Sequence, residues 1–158
     1  MVEISTGFSA KQRKDLVEGL TRALGDTYAL YAKTHGYHWN VTGPTFGQLH
    51  DLFNQQYTEM WNALDELAER IRALGEYAPQ GYGAIANLTG IKDGDPAKDA
   101  DGMVEELMRD HETVVATLRK ALGPAEEADD QVTIDLITQR LTVHEKAAWM
   151  LRATLGSK

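Results

Sequence analysis

Four side chains in the first half of the chain are of the types that bind metal. His38 and His50 stand twelve residues apart, and Asp65 and Glu69 come later, four apart. Imidazole and carboxylate together suit iron or zinc and leave positions open for a reactant. All four lie between Lys33 and Glu69, a stretch with three of the five histidines. From about Thr45 to Leu74, Phe46, Leu49, Phe53, Tyr57, Met60, Leu64, Leu67 and Ile71 recur at three and four residues. That is the period of a buried helical face. On such a helix His50 and Asn54 are one turn apart, and so are Asp65 and Glu69.

Helix geometry then limits what one chain can do. Fifteen residues separate His50 from Asp65, which is roughly 22 Å of axial rise and about 60° of rotation. The pairs share a side, but no single ion, with bonds of about 2.0–2.3 Å, reaches both. Either each pair is independent, or two copies of the helix run antiparallel across a two-fold axis. In the second arrangement the histidines of one copy meet the carboxylates of the other, and symmetry makes two equivalent sites. His38 joins the histidine end because Gly43 and Pro44 break the helix and let the chain reverse; Thr42 or Thr45 can cap the new helix.

The elements that hold these residues are helical throughout. Ser9 reads as an N-cap, and a first helix spans about 9–37 after a short tail, 1–8, with Leu16, Leu20, Leu24, Thr27, Tyr31 and Thr34 as its buried stripe. The second helix, about 45–74, stops at Gly75. Residues 76–98 are rich in Gly and Pro, with a short apolar island, Ala84 to Leu88. They read as a crossover carrying a short helix, which joins two parallel helices. A third helix, about 99–122, ends at Gly123-Pro124 and a fourth spans about 130–155. The fold class is all-α: a four-helix bundle with an extra short helix in the crossover, forming a single domain over 1–158.

Composition excludes several classes. There is no cysteine, hence no disulfide or thiolate metal site. No run approaches the roughly 18 apolar residues of a membrane span, and no signal-peptide pattern opens the chain, so a cytoplasmic site and no membrane partner are expected. A formal charge of −8 disfavours uniform attraction to DNA and favours attraction of cations. Lys11, Arg13 and Lys14 form a small basic patch that reads first as a solvated helix face. Residues 125–130, AEEADD, either favour a helix N-terminus or ring a pore that draws in cations. His111 reads as a hydrogen-bonded core residue. Trp39 and Trp61 read as packing residues. The chain lacks the Glu-x-x-His tetrads of a site inside one bundle.

HWNVTG (residues 38–43), F-x-x-L-H (46–50) and D-E-L-A-E-R (65–70) closely resemble the Dps family, the DNA-protection-during-starvation proteins or mini-ferritins. The resemblance covers most of the chain. It implies a ferritin-like bundle in which His38 and His50 of one subunit and Asp65 and Glu69 of its two-fold partner are the ferroxidase ligands. It also implies a homo-oligomer, a dodecameric hollow shell storing ferric mineral, with hydrogen peroxide preferred over oxygen as oxidant. Acidic pores at a three-fold axis near residues 125–130 and a position for Trp39 near the metal belong to the same implication. One position departs: the family's acidic residue four places after the second histidine is Asn54 here. A neutral amide holds iron less strongly, so the site is expected either as di-iron or as one tight and one weak position, with zinc a competitor. His144, on the buried stripe of the fourth helix, is a candidate replacement donor; a structural role is its other reading. DNA binding in the family often uses a longer lysine-rich tail, for which Gly156-Ser157-Lys158 is a weak substitute, so direct DNA binding is doubtful and nucleoid association is secondary. Two rival readings are a DNA-compacting nucleoid protein and a zinc-holding or structural shell with impaired iron oxidation.

Overall fold

The structure is a computed structural model that describes residues 2–157; Lys158, part of the expected C-terminal substitute for a tail, lies outside them. The elements are α1 (Ala10–Asn40), α2 (Phe46–Ala73), α3 (Tyr82–Ala86), α4 (Ala100–Glu127) and α5 (Gln131–Thr154). Each long helix begins where its sequence supplies a start. Ser9 closes a capping box with Gln12 at α1, and Asp99 and Asp130 accept from the amides of Gly102 and Thr133 at α4 and α5. Thr45 occupies the N-cap of α2 without a side-chain bond.

α1 packs on α2 and on α4, and α4 packs on α5, whereas α2 and α5 touch far less closely. The core runs the length of the bundle: Leu16, Leu20 and Leu24 meet Phe53, Met60, Leu67 and Ile71 on one side and Met103, Leu107, Val114 and Leu118 on the other. Each such side chain, fully buried, stabilises the fold by roughly 1.5–3 kcal/mol. The crossover lies directly on α1. A Cβ on Gly25 would come within 2.6 Å of the Leu88 Cβ, so the glycine makes room for the segment after α3, and Ile85 of α3 is buried beneath it.

Two boundaries differ from the sequence reading. α1 continues past Tyr37 to Asn40, because nothing in those residues breaks a helix and the Asn40 amide closes the last turn on the Gly36 carbonyl at 3.0 Å. The break waits for extended Val41 and for Gly43 at φ 109°. α4 runs through Gly123-Pro124 to Glu127. Proline lacks one N–H, and this close to the end that removes a single intrahelical bond. Asp129, at φ 52°, makes the actual stop, and the Asp130 amide returns to the Ala125 carbonyl at 2.9 Å.

Those boundaries divide the acidic run. Asp130 is buried, caps α5 and forms an ion pair with Arg70 of α2 at 2.7 Å. Burial works against its ionisation, but the Thr133 hydroxyl and the Arg70 guanidinium outweigh that and hold its carboxyl below the usual range. Glu126, Glu127 and Asp129 stay exposed. A second clamp fixes the far half of α1: Lys33 is buried and donates to Asp110 of α4 at 2.6 Å, and Tyr37 donates to Glu106. Immediately after Tyr37 stands His38.

Candidate metal centre

The five residues between α1 and α2 turn the chain back so that His38, in the last turn of α1, meets His50, in the first turns of α2. The two close a reciprocal clasp. Nδ1 of His38 lies 2.8 Å from the His50 carbonyl, and Nδ1 of His50 lies 2.8 Å from the His38 carbonyl. A carbonyl only accepts, so both Nδ1 atoms carry the proton. With Nδ1 so committed, Nε2 is the nitrogen left for a metal on each ring. The clasp also supplies a donor to the His38 carbonyl, one of the last four of α1, which have no partner within a helix. The rings stack with centroids 3.7 Å apart and 17° between planes. Tyr57 meets His38 edge-on at 5.1 Å and stacks on His35 at 4.0 Å. Burial, then His38, holds the His35 imidazole below its ordinary range.

Asp65 and Glu69 are exposed on α2 and form no ion pair or side-chain hydrogen bond with any described residue. Asp65 borders a shallow cavity of about 240 Å³ with Tyr28 and the crossover residues Pro79 and Gly81. Asn54 is exposed one turn after His50. Within one chain, no three His, Cys, Asp or Glu side chains among the described residues converge as a metal site. The surface around the histidine pair is aromatic: Trp39 is 65 %, Phe46 44 % and Trp61 56 % exposed. Exposed aromatic patches of this kind mark contact surfaces.

His144 is committed elsewhere. Its Nε2 faces Arg140 at 3.1 Å, and its Nδ1 faces Nδ1 of His111 at 2.9 Å. Neither nitrogen is free to take over the position opened by Asn54, and a guanidinium beside the ring disfavours a cation. His111 is the buried, hydrogen-bonded core residue its sequence position suggests. Sequence reasoning treated the two histidines separately. Yet His111 lies 17 residues before Ala128 and His144 16 after it, so an α-hairpin turning there sets them level.

Residues 17–157 match the family described as Ferritin, ferritin-like domain. The chain is 38 % identical over 143 residues to DNA protection during starvation protein 2 of Bacillus anthracis, covering 90 % of this chain and 98 % of that one. It superposes on the crystal structure of a Dps protein from Bacillus brevis with a TM-score of 0.89 at 33 % identity, over 94 % of this chain and 99 % of that one. The Dps protein of Vibrio cholerae O1, described as one of the ferritin-like diiron-carboxylate proteins, gives a TM-score of 0.92 at 29 % identity over 98 % and 99 %. With a ferritin-like bundle, a short helix in its crossover, and relatives of this kind matched along nearly their whole length, the chain belongs to the Dps family.

Proposed function

We propose that this protein is an iron-storing ferroxidase whose reaction sites lie between subunits. Ferrous iron, the substrate, is held by Nε2 of His38 and His50 on one subunit and by the carboxylates of Asp65 and Glu69 on its two-fold partner. The observation that carries this reading is the histidine clasp. It spends both Nδ1 protons on backbone carbonyls and leaves two metal-binding nitrogens with no partner. Two carboxylates with no partner stand on the same side of α2, roughly 22 Å along its axis. The exposed aromatic surface between the two ends supports a second copy as what covers it.

An antiparallel pairing that sets His50 opposite Asp65 of the partner subunit also sets Asn54 opposite Trp61 of the partner subunit, since facing numbers share one sum. Asn54 then borders the site as a neutral neighbour, which favours one tight and one weak iron position over two equal ones. Two ferrous ions give one electron each to one hydrogen peroxide. Its O–O bond breaks, both oxygens leave as hydroxide or water, and no hydroxyl radical is released. Resemblance to the family supports peroxide as preferred oxidant, a dodecameric shell and ferric mineral inside it as parts of this reading. It supports protection of DNA too, here by removing the reagents of radical chemistry rather than by coating the duplex, as the charge of −8 favours. Glu126, Glu127 and Asp129 are the exposed carboxylates left for an entry pore.

The test is an anaerobic ferrous titration of the assembled protein, with a peroxide pulse and then an oxygen pulse. The expected result is fast oxidation with peroxide, reduced to the uncatalysed rate in His50→Ala and Asp65→Ala. Tight metal binding without catalysed oxidation would replace this reading with a zinc-holding or structural shell.

A further inference from the structure

The cavity beside Asp65 is open on its outer side. It holds about 240 Å³, about eight times water's share of the liquid. Leu24 and Leu64, both buried, close its floor. The wall that a visitor can touch is half-buried Tyr28, Ala68 and Pro79, with exposed Gln80 and Gly81 at the mouth. Gly81 keeps that mouth wide, since a Cβ there would meet nothing within 4 Å. Water held against such a wall finds few polar partners. An accessible, largely apolar socket thus stands next to a proposed iron ligand.

Helix geometry says what stands opposite. Trp39 and Tyr28 are eleven residues apart on α1, about three turns, so they share one stripe of that helix. Trp39 follows His38, which the clasp holds level with His50. The exposed aromatic surface runs across both helices, because Trp61 of α2 meets Tyr31 of α1 at 5.3 Å. A two-fold that sets His50 opposite Asp65 of the other copy therefore brings α1 against α1 as well as α2 against α2. Trp39 of each subunit comes level with the Asp65–Tyr28 end of the other, where the cavity opens. One side of its indole rests on His35 at 4.3 Å, yet the residue is 65 % exposed, so the other side is free to enter.

We propose that the cavity is the socket of the partner subunit's Trp39, and that this indole is a positioning residue for the shared iron site. The inference rests on the two-fold reading above and adds what fixes its register. The ring displaces water against Tyr28, Ala68 and Pro79, and its N–H reaches the Gln80 side-chain carbonyl at the mouth. Because Trp39 adjoins His38 in the chain, a seated indole sets His38 against Asp65 across the interface. A slip along the helix axis unseats the indole and parts the ligands together. Through Pro79 to Gly81, the crossover takes part in building the site.

Size-swap variants of the assembled protein test the socket. Trp39→Ala is expected to weaken pairing about thirtyfold in analytical ultracentrifugation. Ala68→Phe fills the cavity from its own chain and is expected to weaken pairing as well. The double variant has the cavity filled and the indole gone, and is expected to pair more tightly than either single variant. A second measurement needs no cavity variant and decides if Ala68→Phe does not fold. With Trp61 and Trp149 replaced by Phe, Trp39 emission is expected to shift to the blue as diluted subunits pair. Unchanged pairing in Trp39→Ala, a folded double variant no tighter than its singles, or emission that stays solvent-like in paired subunits would each overturn the proposal. The shared iron site is judged apart, by the oxidation recovered when His50→Ala and Asp65→Ala subunits are mixed. Recovery together with any of those three results removes the socket and leaves the site; no recovery removes both.

Discussion

At His38 and His50 a pair of hydrogen bonds fixes both ring position and the nitrogen that faces the backbone. Each ring is oriented by the other residue's backbone carbonyl, which survives replacement by alanine, so losing one histidine removes the stacked ring but leaves the second ring's hydrogen bond in place. His50→Ala is therefore expected to remove one proposed ligand while His38 keeps its orientation, and to weaken tight ferrous binding, as a ferrous titration would read. Asn54 is the other informative residue. Asn54→Asp adds a carboxylate one turn from His50 and is expected to turn the weak iron position into a tight one. Tight binding near two ferrous ions per subunit, against about one in the parent, is the expected count; an unchanged count would show that Asn54 does not limit the site.

At the scale of elements, two seams hold the bundle in register, and each has its own response to pH. The buried His111–His144 pair is neutral in the fold, with both imidazoles driven below 6.5, mainly by burial. The unfolded chain binds more protons over that window, so stability is complete above about 6.5 and declines as pH falls toward 3. Denaturant midpoints measured between pH 7 and pH 5 are expected to fall. Asp130 acts lower on the scale. Its pKa is depressed in the fold, so its contribution is present above the ordinary carboxylate value of 3.8 and is lost as pH drops below it. Asp130→Ala removes the α5 cap and strands Arg70, and is expected to cost about 3 kcal/mol in chemical denaturation at pH 7. The helices themselves were legible in the sequence, since apolar spacing, Ser9 and the Gly43-Pro44 break are local signals. The end of α4 was not. Gly123-Pro124 carries a strong local stop, but Asp129 in the left-handed region and the Arg70–Asp130 pair override it, and that pair joins residues 60 apart. The hydrogen-bonded chain Glu59–Arg140–His144–His111 was hidden for the same reason, because it links three helices.

For the whole molecule the aromatic surface matters most. Trp39, Phe46 and Trp61 face solvent beside the proposed ligands, which no third metal-binding side chain joins among the described residues of one chain. The spacing of His50 and Asp65 shows from the sequence alone that fifteen residues of helix put them beyond one ion's reach, which is what leads to the proposal of a second copy. The exposed aromatic surface proposed to meet that copy was not legible there, since Trp61 reads as packing until its exposure is known. Trp61→Glu is expected to leave the helical circular dichroism unchanged, shift the mass toward monomers in analytical ultracentrifugation, and abolish iron oxidation with all four ligands intact. The most decisive measurement mixes two inactive variants. His50→Ala and Asp65→Ala subunits, co-expressed in equal amounts, form mixed two-fold pairs in half of all cases, each pair with one intact and one doubly damaged site. Ferroxidase activity of about a quarter of the parent value is expected from assemblies whose components are each inactive. No recovery, with mixed pairs verified by mass, would place all four ligands of a site in one chain and contradict the shared centre.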